Sequence, residues 1–152
     1  MKVFLDTNVL VSAMATRGLC ADVLREILTS HQLVVSAPLF NELKRVLREK
    51  LQIPGELIDD AIEILQQDAH FATPSTLSDV KIRDKDDLMI LSSALDGNAD
   101  LLVTGDKELL NLGKIQDMEI VSPRGFWERT RAQPSRLPDK GQKQALRIRL
   151  PH

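Results

Sequence analysis

Short, mainly apolar runs alternate along this chain with longer stretches in which apolar residues recur every three or four positions. Lys2-Val3-Phe4-Leu5, Leu33-Val34-Val35-Ser36, Leu101-Leu102-Val103 and Glu119-Ile120-Val121 are the apolar runs, the pattern of strands buried on both faces. Between them, Val9 to Ala15 suggests a helix, and Ala21, Leu24, Ile27 and Leu28 fall at helical spacing. Pro38 opens a further helix to about Lys50, with Leu39, Leu43, Val46 and Leu47 on one face, and Pro54 opens another to about Ala69. Phe71-Ala72 reads as a short strand before the turn-like Thr73-Pro74-Ser75. The run Leu88 to Leu95 is apolar on nearly every side, which predicts a centrally packed helix that stops at Gly97-Asn98. Pro123 to about Arg129 reads as a closing helix that turns Phe126 and Trp127 onto the body. Strands alternating with helices in this way predict an α/β fold with a parallel sheet covered by helices.

Two strand runs end on acids. Phe4-Leu5 runs into Asp6-Thr7-Asn8, and Leu102-Val103 runs into Thr104-Gly105-Asp106. Open α/β sheets bind ligands in the crevice beyond the carboxyl ends of their strands, so both acids are candidate site residues. An Asp between a strand and a helix is also the ordinary helix N-cap, so each acid taken singly is explained without function. Glu42 lies at the border of an apolar helix stripe, and Asp84-Lys85-Asp86-Asp87 opens the most apolar helix, where acids favour the helix dipole. Four carboxylates that converge on one crevice repel, and a divalent cation is what offsets that repulsion. An all-oxygen donor set selects a hard cation, Mg2+ or Mn2+. The three histidines, His31, His70 and His152, stand apart from these acids, which argues against histidine triads and zinc hydrolase sites.

Composition bounds the rest. A chain of 152 residues with 43% hydrophobic residues and one cysteine, Cys20, is sized for one domain with a real core and no internal disulfide. Its apolar stretches are too short to span a bilayer and its start lacks a signal-peptide pattern, so a soluble, cytoplasmic protein with no membrane association is expected. The net charge of −2 is unevenly spread. Residues 131–152 carry Arg131, Arg136, Lys140, Lys143, Arg147 and Arg149 against Asp139, about +5, with Pro134, Pro138 and Pro151. The expected division is therefore a globular domain at 1–130 and a basic, flexible tail at 131–152.

The ordered set VFLDTNVLVSA, PLFNELKRVL, DKDDLMILSSAL and ADLLVTGDKELL resembles the PIN domain, specifically the bacterial VapC-like toxin ribonucleases. The resemblance covers roughly residues 1–128, whereas the basic tail matches nothing in the family. It implies a three-layer fold, a parallel five-stranded sheet flanked by helices on both faces. It also implies an Mg2+- or Mn2+-dependent endoribonuclease that hydrolyses RNA phosphodiester bonds, the toxin of a toxin-antitoxin pair. The family's metal-binding, catalytic acids match Asp6, Glu42, Asp87 and Asp106, while Asn8 and Thr104 match residues that support them through hydrogen bonds. Asp87 is preferred to Asp84 and Asp86 because it stands nineteen positions before Asp106, the family's spacing, and directly opens the buried run. The implied partners are an RNA substrate, a cognate antitoxin and a second copy in a homodimer. Lys44, Arg45, Arg48 and Lys50 follow Glu42 and offer cations for a phosphate backbone. Two alternatives stand beside this reading: a PIN-like binding module without catalysis, and a phosphotransfer or phosphatase domain built on a strand-end Asp.

Overall fold

The computed structural model describes residues 1–73 and 85–131, and of Lys85 and Asp86 the backbone alone. In chain order the elements are β1 (Lys2–Leu5), α1 (Thr7–Ala15), α2 (Leu19–Ser30), β2 (Gln32–Ser36), α3 (Ala37–Glu49), α4 (Gly55–Gln66), β3 (His70–Ala72), α5 (Lys85–Asp96), β4 (Leu101–Val103), α6 (Lys107–Leu112), β5 (Lys114–Ile115), β6 (Met118–Val121) and α7 (Pro123–Arg131). The sheet order is β3-β2-β1-β4-β6-β5. All pairings are parallel except β5 with β6.

The expected five-stranded parallel sheet is present, and it carries a sixth, antiparallel strand. β5 is two residues long, and Gln116, in the left-handed region at φ 53°, turns it directly onto β6. Two residues carry no alternation to read, which is why the sequence pattern conceals this strand. Elsewhere the differences are at element ends. The first helix begins at Thr7 instead of Val9, since it takes Asp6 as its N-cap.

From β1 the chain steps outward through β2 to β3, then returns to lay β4 on the other side of β1. Right-handed crossovers send the helices of the outward and returning halves to opposite faces, which makes three layers. The reversal lies between β1 and β4, the switch point at which such sheets leave a crevice. The core runs through both halves. Val3, Phe4, Leu5, Val34, Leu91, Leu101, Leu102 and Phe126 are among its wholly or almost wholly buried members.

Two contacts fix how the helices sit. A Cβ on Gly97 would stand 2.5 Å from Val34 Cγ1 and 2.9 Å from Ala72 Cβ, so only glycine lets the end of α5 approach β2 and β3 this closely. At the other flank α7 closes on α2, where Arg131 bonds Glu26 at 3.0 Å and the rings of Phe126 and His31 meet edge to face at 5.8 Å. α7 runs through Arg131, the first residue of the expected tail; the remaining residues, 132–152, lie outside the described ones, as does the expected turn at Pro74-Ser75.

Strand registers place the functional edge. Carried two residues beyond the last pair of β1 with β2, and one beyond the last pairs of β4 with β1 and β6, they set Ser36, Asp6, Thr104 and Ser122 side by side along the carboxyl edge of the sheet. Backbone bonds from Asp6 N–H to Val103 and from Thr104 N–H to Val121, both 3.0 Å, continue the ladder to that row. Each apolar run therefore ends on a short polar side chain where a helix or turn begins. Ser36 Oγ accepts from Leu39 N–H at 3.3 Å and Ser122 Oγ from Gly125 N–H at 3.0 Å, both as helix caps.

Candidate active site

At the centre of this row, between β1 and β4, Asp6 is only 5% exposed. Thr104 is wholly buried beside it, and its hydroxyl donates to Asp6 Oδ2 at 2.7 Å. The same Thr104 oxygen accepts from Asp106 N–H at 3.0 Å, which ties the two strand ends together. Asp106 Oδ1 accepts from Glu108 N–H at 2.8 Å and Leu109 N–H at 3.1 Å, so it is the N-cap of α6. Asp6 occupies the N-cap position of α1 but its side chain makes no cap hydrogen bond.

Burial holds the Asp6 carboxyl above its ordinary value. The Thr104 hydrogen bond and the nearby backbone N–H groups of Thr7 and Asn8 pull the other way, and the negative charge of Asp106 adds to the rise. Neither Asp6 nor Asp106 forms an ion pair among the described residues. The Thr7 hydroxyl, one position on, is also buried, and it has no hydrogen-bond partner among the described residues. Two acids close enough to repel, one of them desolvated, with the Thr7 hydroxyl one position on, are oxygen donors in excess of what the described residues satisfy. That donor set suits a hard divalent cation.

The other expected residues are placed less simply. Glu42 lies on α3, six residues beyond Ser36, and its carboxylate is bonded by Arg45, with Nη2 at 2.7 Å from Oε1 and Nε at 3.4 Å from Oε2. Asp87 is the third residue of α5 and is half-buried. Asp84 and the side chain of Asp86 lie outside the described residues. Among the described residues no three His, Cys, Asp or Glu side chains already stand in a metal-holding group. The structure thus brings Asp6, Thr104 and Asp106 together, and leaves Glu42 turned to Arg45. Asn8 is exposed, and its backbone N–H lies near the Asp6 carboxylate.

Sequence reasoning missed Ser36, Ser93 and Ser122. Ser36 and Ser93 are wholly buried, and Ser36 Oγ donates to Ser93 Oγ at 2.9 Å. The signal for Ser36 and Ser122 was available, since each is a cap-forming residue at the end of an apolar run.

A sequence model of the PIN domain matches residues 2–108. The chain belongs to the PIN domain family. This matched region contains all four expected acids and every strand of the crevice. The PIN fold is repeated in two solved structures of low sequence identity. One is VapBC2 from Rickettsia felis bound to a DNA fragment from its promoter, with a TM-score of 0.59 at 19% identity, covering 80% of this chain and 98% of that one. The other is VapBC-1 from nontypeable Haemophilus influenzae, with a TM-score of 0.57 at 22% identity, covering 82% and 99%. A comparison with curated proteins by sequence gave no match. None of the helices among the described residues of this PIN domain is long and apolar enough to cross a membrane.

Proposed function

We propose that this PIN domain is an Mg2+- or Mn2+-dependent endoribonuclease and the toxin of a toxin-antitoxin pair, acting in the cytoplasm. The observation that carries the reading is the pairing of the buried Asp6 with Asp106 across the β1/β4 switch point, where two carboxylates share a crevice without an ion pair among the described residues. The metal would be held by Asp6 and Asp106, joined by Glu42 and Asp87. A divalent ion there supplies a water of lowered pKa and positive charge against the developing phosphate charge.

The chain's own groups do the remaining work. Thr104 fixes the rotamer of Asp6 and, through the same oxygen, the start of the α6 turn. α1, α3, α6 and α7 all begin just beyond this row, and their amino ends present N–H groups and positive dipole ends suited to an RNA phosphate. Lys44, Arg48 and Lys50 on and just after α3 extend a basic track away from the crevice. The VapBC neighbours are toxin-antitoxin assemblies, and this supports a cognate antitoxin as partner; a homodimer is proposed on the family resemblance. The domain proper is taken as 1–130 and the basic segment 131–152 as an appendage of separate role.

A second reading has one observation in its favour. The Arg45 bond to Glu42 describes a binding module in which that acid is neutralised by its own helix. Titration with Mn2+ decides. The nuclease reading expects calorimetric binding that Asp6→Asn removes, and growth arrest on induction that Asp106→Asn abolishes. Equal arrest by wild type and Asp106→Asn refutes it. The phosphotransfer alternative loses its support with the PIN family assignment.

A further inference from the structure

The Ser36–Ser93 contact is buried where β2 passes into α3 and α5 packs over it. Both residues are wholly buried, and the chain neighbours Val34, Val35, Leu39, Leu91 and Ala94 belong to the apolar core. At Ser93 an alanine would fill the space without any demand for hydrogen bonds, whereas a buried hydroxyl must find a partner. Here Ser36 is that partner. Ser36 Oγ accepts from Leu39 N–H at 3.3 Å, which caps α3, and donates its proton to Ser93 Oγ at 2.9 Å. The bond joins the N-cap of α3 to the final third of α5.

What the two helices carry gives the bond its meaning. Glu42 stands six residues after Ser36 on α3, and Asp87 six residues before Ser93 on α5. Each acid is therefore about 9 Å of helix from the bond. Ser36 itself is the register neighbour of Asp6. Apolar packing between helices tolerates small slides, but a hydrogen bond of fixed length and direction does not. We infer that the Ser36–Ser93 hydrogen bond is a positioning device that sets where α3 and α5 present Glu42 and Asp87 relative to Asp6. It rests on the metal-site reading above. Ser36 and Ser93 act through the acids and touch neither metal nor substrate.

The test is a Mn2+ titration by calorimetry on the full chain, with Ser93→Ala, Glu42→Gln, the double variant and Asp6→Asn. Ser93→Ala should weaken Mn2+ roughly tenfold, the lower end of what loss of an outer-shell partner costs a metal site. Glu42→Gln should weaken it more. In the double variant the further loss should be clearly smaller than tenfold, because with Glu42 gone only Asp87 is left for the bond to position. Unchanged affinity in Ser93→Ala, or a further tenfold loss in the double variant, overturns the inference. If circular dichroism shows that Ser93→Ala does not fold, Ser93→Cys takes its place in the cycle, since it keeps the volume and offers only a weak acceptor. If wild type binds Mn2+ and Asp6→Asn does not, while Ser93→Ala matches wild type, the metal site stands and the positioning role alone fails. If wild type binds no Mn2+, both fall.

Discussion

Asp6 and Asp106 arise from nearly the same local sequence, a buried strand followed by an acid and a helix, yet the fold uses them differently. Asp106 spends its carboxylate on the backbone of its own helix, capping Glu108 and Leu109. Asp6 stands at the same point before α1 and caps nothing with its side chain; its oxygen is taken instead by Thr104, 98 residues away in sequence. The cause is tertiary. β1 is flanked on both sides by parallel strands whose ends close over Asp6, whereas Asp106 lies two residues past Thr104 in a more open turn. A strand-end acid is thus a cap by default, and its carboxyl is shifted from its ordinary pKa only where the sheet around it removes water.

That contrast is breakable by mutation, and Asp6→Asn should do so most strongly. Its loss of Mn2+ affinity and RNA cleavage should exceed the roughly 10- to 100-fold expected for an outer-shell change, because a direct charged ligand goes. The same variant, free of metal, should melt higher than wild type by about 2–4 °C, the shift that ~1 kcal/mol makes in a chain of this size, since a desolvated charge next to Asp106 has been removed. Calorimetry with Mn2+ and thermal melts in chelator measure both. A lower melting point in chelator would show that the Asp6 charge is stabilising and would remove the contrast.

Thr104→Val should come next, with cleavage reduced about 10- to 100-fold and a pH–rate profile moved upward, since the hydroxyl that favours the charged Asp6 is gone. Asp106 separates the two roles by itself. Asp106→Asn keeps an N-cap acceptor and should leave the urea midpoint nearly unchanged while cleavage collapses, whereas Asp106→Ala should lose about 1 kcal/mol as well. Equal stability loss in both variants would mean that the charge, not the cap, holds the α6 turn.

The smallest expected effect concerns pH. Because burial lifts the folded-state pKa of Asp6 above its ordinary 3.8, the native protein holds this proton more tightly than the unfolded chain. The contribution is fully present below that ordinary value and is lost as pH rises through the folded value. Urea midpoints in chelator at pH 4 and pH 7 should therefore show a loss on going up in wild type that Asp6→Asn reduces. A steeper loss in the variant would reverse the assigned sign.

Much of this was legible in the sequence because the sheet is buried on both faces. Strands such as Phe4-Leu5 and Leu101–Val103 read as apolar runs with sharp polar ends, and those ends are the crevice. Pattern singles out Asp6 and Asp106 and the resemblance adds Thr104, and the structure places these three residues together at one sheet edge. The hidden parts are those that depend on non-local geometry. Ser93 sits inside an apolar helix where a serine carries no periodic signal, and its partner lies 57 residues away. Arg45 was read as part of a basic face that could meet phosphate, and its bond to Glu42 is an i,i+3 contact that side-chain rotamers decide. β5 is too short for any pattern.

The two margins of the sheet have unequal exposure to chance pairing with other chains. On one side β5 lies along β6 and takes up its outer ladder with only two residues, joined to it by the tight turn at Gln116 and Asp117. On the other, β3 is three residues long and pairs with β2 alone among the described residues, with Phe71 half in solvent against Phe40. A three-residue rim offers an incoming strand too few donors and acceptors to seed a fibril. Brevity at both rims protects a fold whose central strands, detached from their helices, would be strongly prone to aggregate.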